Sequence, residues 1–234
     1  MEIDLISADL SGRRIIVTGG ASGIGLAAVE IMAKMGAKVA LNYLPNDETG
    51  SMRVAEFNAA GLEVIGAPGN VGIAGEAEAM INAAITQLDG LDYLINNAGT
   101  PGTPEPIAPA NLDAMTEEFW QMLLNVNLIG PFRCAHAAAD ALKQSKGSIV
   151  NTASIAGVGK QGSSIAYSAT KTGLVSLTRS LARALAPEVR VNAVAPGQVK
   201  TPWTENWPVE RKQLARDQSV LKRRCSPEEI AFGM

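Results

Sequence analysis

Two side chains able to handle a proton stand four residues apart in Tyr167-Ser-Ala-Thr-Lys171. On a helix that spacing puts them on one face. A tyrosine at its ordinary pKa of about 10 is a poor base at neutral pH. A fixed ammonium beside it favours the phenolate and lowers that value. The phenol could then take a proton from an alcohol or return one to a developing alkoxide. Ser154, upstream of the tyrosine, could hydrogen-bond the same oxygen. Alone, a Tyr–x–x–x–Lys pair is an ordinary surface or packing pair; its meaning depends on its company.

A second group is the turn Thr18-Gly-Gly-Ala-Ser-Gly-Ile-Gly25. It follows the apolar, β-branched run Arg13–Thr18 and opens Ile24–Met35, whose apolar residues recur with helical spacing until Gly36. Such a turn lets backbone approach a pyrophosphate, and the helix N-terminus adds free N–H groups and a favourable dipole. At the end of the next strand, an acidic residue would accept hydrogen bonds from an NAD ribose. That place falls on Asn42-Tyr43-Leu44, with no carboxylate, so a 2′-phosphate meets no repulsion and NADP(H) is favoured over NAD(H). Against this, the turn holds no arginine or lysine, and Asp47 and Glu48 lie close by.

These groups need a frame, and the pattern of the chain supplies one. Strands are expected at Arg13–Thr18, Lys38–Tyr43, Leu62–Ala67, Leu91–Asn96, Gly147–Thr152 and Val189–Val194. Between them, helices are expected at Ile24–Met35, Met52–Ala60, Glu76–Leu88, Thr116–Leu142 and Ala166–Ala186. The alternation implies an α/β fold with a doubly wound parallel sheet, helices covering both faces, and a single domain over residues 1–234. Pro101–Pro109 reads as a surface loop, and the wider Gly102–Ala114 segment could border a site entrance.

Composition narrows the partners. A net charge of −3 argues against nucleic-acid or anionic-membrane surfaces and for a small molecule. Arg211–Lys212 and Lys222–Arg223–Arg224, flanked by acids, read as solvated helix face. Cys134 and Cys225 read as free thiols, and with His136 the single histidine there is no metal-ligand cluster. His136 reads as a packing or surface residue of the long helix, and Trp120 as part of a helix face in the core. The N-terminal Met1-Glu-Ile-Asp-Leu5 has no apolar run of a secretory signal, and no stretch is apolar enough for a membrane span, so the cytoplasm is expected.

Taken in order, these motifs resemble those of the short-chain dehydrogenase/reductase superfamily, in its shorter single-domain branch, from about Arg13 to Thr201. The Thr18–Gly25 turn is similar to the family's nucleotide turn, and Asn96-Asn-Ala-Gly99 to the motif after its fourth strand. Ser154, Tyr167 and Lys171 match the catalytic trio, and Asn127 in Asn125-Val-Asn-Leu-Ile-Gly-Pro-Phe132 matches the asparagine that completes a tetrad. Pro196-Gly197, followed by Val199 and Thr201, is similar to the segment that passes the nicotinamide amide.

The resemblance implies a Rossmann fold with sheet order 3-2-1-4-5-6 and hydride transfer between NAD(P)(H) and an alcohol or carbonyl. Tyr167 would be the general acid/base. Lys171 would hold the nicotinamide ribose and depress the tyrosine pKa, Ser154 would polarise the carbonyl, and Asn127 would anchor a relay water. Cofactor contacts would come from Thr18, Gly19, Ser22, Gly23, Ile24, Gly25, Tyr43, Asn70, Val71, Asn97, Ala98 and Gly99, besides Tyr167, Lys171 and the Pro196–Thr201 residues already named. Gly69-Asn70-Val71 carries an amide where the family usually has an acid for the adenine amine.

Ala156–Ser164 would form part of the substrate wall, with Gln161 as a contact, and residues 197–225 would form a lid presenting Trp203 and Trp207. Ser226-Pro-Glu-Glu-Ile-Ala231 is similar to the start of the family's last helix, so the last strand is expected to be missing. A homotetramer or homodimer is implied, with one interface on the helices starting near Thr116 and Ala166. Substrates as different as 3-oxoacyl thioesters and sugars or polyols fit the same tetrad. An epimerase or dehydratase would share the tyrosine–lysine pair, but with a differently spaced turn and a larger C-terminal domain. A nucleotide sensor without turnover would not need the tetrad.

Overall fold

Successive residues of the central strands pack to opposite sides, and that alternation builds the molecule. In the computed structural model, which describes residues 9–234, Ile15 and Val17 face one apolar cluster while Ile16 faces another. Val39 and Leu41 oppose Ala40 in the same way, as Ile95 and Val150 oppose Leu94 and Ile149. Strands buried on both faces are what a parallel sheet under two helical layers requires.

The six strands are β1 (Arg14–Val17), β2 (Lys38–Tyr43), β3 (Val64–Pro68), β4 (Tyr93–Asn96), β5 (Ser148–Thr152) and β6 (Arg190–Val194). Their order is β3-β2-β1-β4-β5-β6, all pairs parallel, as the sequence predicts. Helices α1 (Gly23–Lys34), α2 (Glu48–Ala59) and α9 (Pro227–Ala231) contribute to one cluster. Helices α3 (Glu76–Leu88), α5 (Gly130–Ser145) and α6 (Ile165–Leu185) contribute to the other. The sheet's order reverses beside β1, where β1 and β4 end next to each other and open a crevice.

Several boundaries differ from the sequence expectation. Helix α2 begins at Glu48 because the Asp47 carboxylate caps it, accepting from the Thr49 N–H at 3.0 Å. The predicted helix Thr116–Leu142 is three pieces: α4 (Glu117–Leu124), a π-helical stretch Asn125–Ile129, and α5. Pro131 has no N–H to offer the Asn127 carbonyl, so the regular ladder breaks there, and the Gly130 N–H reaches back to Asn125 instead.

The short helices α7 (Pro202–Glu205) and α8 (Val209–Gln218) follow β6, and Ser226 caps α9 through the Glu229 N–H. No helix among the described residues is long and apolar enough to cross a membrane. The reading of Met1–Leu5 lies outside the described residues.

Candidate active site

The crevice between the ends of β1 and β4 widens into a cleft of about 910 Å³. One end is the turn before α1. Gly19 has φ +63°, and a Cβ there would meet the Ala98 Cα at 2.9 Å. A Cβ on Gly25 would stand 2.1 Å from the Gly19 carbonyl oxygen. Only glycine permits this close approach of turn, helix and β4 end.

Ser22, Gly23 and Ile24 line the cleft, the Ser22 side chain makes no cap bond, and no acid occupies the first turn of α1. The exposed N–H groups and dipole of that terminus therefore face the cleft uncontested, which suits a pyrophosphate.

Behind the turn, side chains tie backbone to backbone. Thr18 Oγ1 accepts from the Asn97 and Ala98 N–H groups, both at 3.0 Å, and Thr18 is buried rather than on the cleft wall. Asn97 Nδ2 donates to the Thr18 and Gly19 carbonyls, and Asn97, Ala98 and Gly99 line the cleft.

Asn42 is also buried. Its Oδ1 accepts from the Gly19 N–H at 3.0 Å, and its Nδ2 donates to the Ala67 and Gly69 carbonyls, both at 2.9 Å. Tyr43 packs against Gly50 of α2 and Gly66 of β3. Asn70 Oδ1 accepts from the Gly72 N–H, while Val71 is buried in the core. Thr18, Tyr43, Asn70 and Val71 thus stand behind or beside the cleft, not among the residues that wall it.

The other predicted side chains converge. Ser154, at the end of β5, accepts from the Ala156 N–H at 3.1 Å and starts a short helical turn. Tyr167 sits in the first turn of α6, whose cap is Ser164, and one helical turn on stands Lys171. Its Nζ donates to the Thr152 carbonyl at 2.8 Å and lies 5.8 Å from the Tyr167 ring centre. Asn127 is fully buried in the π-helical stretch: its Oδ1 accepts from the Thr100 N–H and its Nδ2 donates to the Thr100 carbonyl. A Cβ on Gly99 would meet Asn127 Oδ1 at 3.3 Å and Lys171 Nζ at 3.5 Å, so lysine and asparagine flank the same glycine.

The electrostatics differ from the sequence expectation in one respect. Burial pushes the Tyr167 phenol up to about 12, although the Ser154 hydroxyl bonded to it pulls the other way. Burial pulls the Lys171 ammonium down to about 8. The lysine is turned to a carbonyl, and desolvation of both groups outweighs the expected depression of the phenol.

Around this centre, Pro196, Gly197, Val199, Thr201 and Trp203 line the cleft, as do Ala156 and Gly159–Ser163, including Gln161, from the predicted Ala156–Ser164 wall, whereas Gly157, Val158 and Ser164 do not. Trp203 meets the Tyr167 ring edge-on at 6.0 Å. Arg211 is not on a fully solvated face: its guanidinium lies 5.2 Å from the centre of the Trp207 ring and donates to the Gly162 carbonyl at 2.9 Å. Arg223 and Arg224 also line the cleft, Arg223 while paired with Glu229. Runs of like charge cannot show which member is turned inward, so the sequence carried no signal for either. Trp120 packs against a small apolar cluster, and His136 lies at the surface, stacked on exposed Phe132. Cys134 is buried, with its thiol pushed up to about 12 by desolvation.

A model of short chain dehydrogenases matches residues 13–212. The chain belongs to that family. It is an NAD(P)-dependent oxidoreductase that interconverts alcohol and carbonyl groups.

Among similar family members are two 3-oxoacyl-(acyl-carrier-protein) reductases. One, from Staphylococcus aureus, is 37% identical over 92% of this chain and 86% of its own length. The other, from a Synechocystis species, is 36% identical over 95% of this chain and 87% of its own. A short chain dehydrogenase from Burkholderia cenocepacia, crystallised in complex with NADP, superposes with a TM-score of 0.85 at 28% identity, covering 96% of this chain and 89% of that one.

Proposed function

We propose that this short chain dehydrogenase uses NADPH to reduce the keto group of a 3-oxoacyl substrate, with Tyr167 as the proton donor. The observation that carries the reading is the meeting, in one cleft, of Ser154, Tyr167 and Lys171 with the uncontested N-terminus of α1. The substrate class is supported by the similar 3-oxoacyl reductases. NADP over NAD is supported by the absence of a carboxylate at Asn42-Tyr43-Leu44 and by the dehydrogenase crystallised with NADP.

The dinucleotide fits the residues present. Gly19, Ser22, Gly23 and Ile24 would hold its pyrophosphate, and Asn97, Ala98, Gly99, Pro196, Gly197, Val199 and Thr201 the remainder of its length on the cleft wall. The nicotinamide supplies the hydride when bound.

The chain's own residues handle orientation and the proton. The Ser154 hydroxyl donates to the substrate oxygen and fixes it beside Tyr167. The phenol gives its proton to that oxygen as negative charge develops on it, which a group held up to about 12 does while fully protonated at neutral pH. The Lys171 ammonium stabilises the phenolate left behind. Asn127 positions the relay from solvent: its amide is committed to Thr100, and Pro131 offers no N–H to its carbonyl, which would accept the relay water. Trp203 and Gln161 bound the substrate.

Residues 197–225 act as the lid of a single domain. The enzyme works in the cytoplasm as a homotetramer or homodimer. Partly exposed Met122, Ile129, Phe132 and Ile165 on the α4–α6 side support an interface there.

Fluorescence titration with NADPH and with NADH, followed by NADPH oxidation with a 3-oxo ester, tests the reading. Tighter NADPH binding and turnover are expected. Tighter NADH binding overturns the coenzyme assignment, and binding without turnover across a broad carbonyl panel overturns the reductase assignment.

A further inference from the structure

The lid side of the cleft holds polar atoms that the fold leaves unused. Both amide atoms of Gln198, the Trp207 indole Nε1 and the Arg224 Nη1 are buried without a hydrogen-bond partner among the described residues. All three residues line the cleft. Such groups are costly to bury unmatched, and a cluster of them calls for a ligand. They are also neighbours by construction. Val199 pairs with Cys225 in an isolated parallel bridge, and the Lys200 N–H donates to the Cys225 carbonyl at 3.0 Å, so Gln198 and Arg224 lie side by side one residue upstream. Trp207 is held from α8 by the Arg211 guanidinium, itself anchored to Gly162 on the facing wall.

The charge of the cleft is one-sided. Lys160, Lys171, Arg211, Arg223 and Arg224 line it, and among the described residues no aspartate or glutamate does, although the whole chain carries −3. Arg223 is neutralised by Glu229 and Lys171 belongs to the catalytic group, which leaves Lys160 on the Ala156–Ser164 side and, at the lid, Arg224 with Arg211 near Trp207, unbalanced. Every unused group except one amide oxygen is a donor. Donors beside an uncompensated guanidinium suit an oxyanion, not an alkyl chain.

We propose that the substrate carries an oxyanionic group, which Arg224, Gln198 and Trp207 hold at the lid side of the cleft while its keto group meets Tyr167. This rests on the reductase reading above and narrows it to anionic 3-oxoacyl compounds. Arg224 is then a specificity-determining residue.

A matched pair of substrates tests it: monoethyl 3-oxoadipate and ethyl 3-oxohexanoate, which differ by a terminal carboxylate in place of a methyl. With NADPH, kcat/KM is expected to favour the carboxylate about tenfold or more, and Arg224→Gln to bring the ratio to about one. The ratio is insensitive to a general loss of active protein. Equal kcat/KM in the native enzyme, or a preference that survives Arg224→Gln, overturns the proposal.

NADPH affinity separates the two possible owners of the anion. If Arg224→Gln weakens NADPH about tenfold and leaves the substrate ratio intact, the group grips the coenzyme and the proposal fails. Should Arg224→Gln not fold, inorganic sulfate on the native enzyme decides. Competition against the carboxylate ester only supports the anion seat, and equal inhibition of both esters overturns it. If neither ester is reduced, the reductase reading fails by itself. Sulfate titration of tryptophan fluorescence with NADP⁺ saturating then reads the seat directly: a saturable change supports it and no change overturns it.

Discussion

At the α1 end of the cleft, nearly every polar side chain is committed to backbone: Thr18 to two N–H groups, Asn97 to two carbonyls, Asn42 to one N–H and two carbonyls. At the lid end, Gln198, Trp207 and Arg224 bury polar atoms that meet no partner among the described residues, on segments whose helix α8 buries no residue. The first region is finished by folding. The second is completed by what binds. A coenzyme shared by many reactions can be met by a rigid mould, whereas the identity of a substrate is written in groups left free to be satisfied.

The largest break in this contrast is expected where the two regions meet. Tyr167→Phe removes the proton donor while keeping the ring against Trp203. Turnover should fall about a thousandfold, with NADPH affinity within a few-fold of native. Substantial residual turnover by steady-state assay would remove Tyr167 from its role.

At the finished end, Gly25→Ala drives a methyl into the Gly19 carbonyl. A stability loss of about 2–3 kcal/mol in urea unfolding is expected, together with loss of NADPH binding by fluorescence titration. A variant that folds and binds normally would show that the mould is soft.

Lys171→Met separates stability from function. The folded ammonium is depressed to about 8 from its ordinary 10.5, so the fold disfavours the charged form. That penalty is fully present below about pH 8 and fades as pH rises towards 10.5, because the unfolded chain holds more protons in that window. The variant should lose reductase activity yet be more stable than native at pH 7 by about 1–3 kcal/mol, measured by thermal melts. In the native enzyme, the reduction rate should fall as pH passes about 8, when Lys171 loses its proton. A flat profile to about pH 10 would contradict that.

The smallest effect belongs to the lid. Arg211→Met cuts its hydrogen bond to Gly162. It should raise the substrate KM about threefold to tenfold with little change in melting temperature.

The regular parts of both regions were legible in the residues. Alternating apolar strands and helical spacing gave a parallel sheet covered by helices, the resemblance gave its strand order, and Ser154, Tyr167 and Lys171 were placed at one site by spacing and resemblance together. What was not legible depended on contacts between distant segments. The break of the long helix at Asn127 follows from a bond to Thr100 and a missing N–H at Pro131 that periodicity does not reveal. The high tyrosine pKa follows from burial, which no local motif encodes. Arg211 and Arg224 look like any solvated charges in sequence; tertiary contacts alone turn them to the cleft.

The hydrogen bonds of the Asn42 carboxamide bear on how the proposed preference for NADPH could change. The common route to NADH is an acid at the end of the second strand. After Asn42→Asp, one carboxylate oxygen could still accept from the Gly19 N–H, but the other would face the Ala67 and Gly69 carbonyls in place of a donor. The mutation would loosen the glycine turn and the β2–β3 edge together, so position 42 is closed to drift and to design alike. A change of coenzyme has to be sought at Tyr43 or Leu44, where selection for one nucleotide does not collide with selection for the fold.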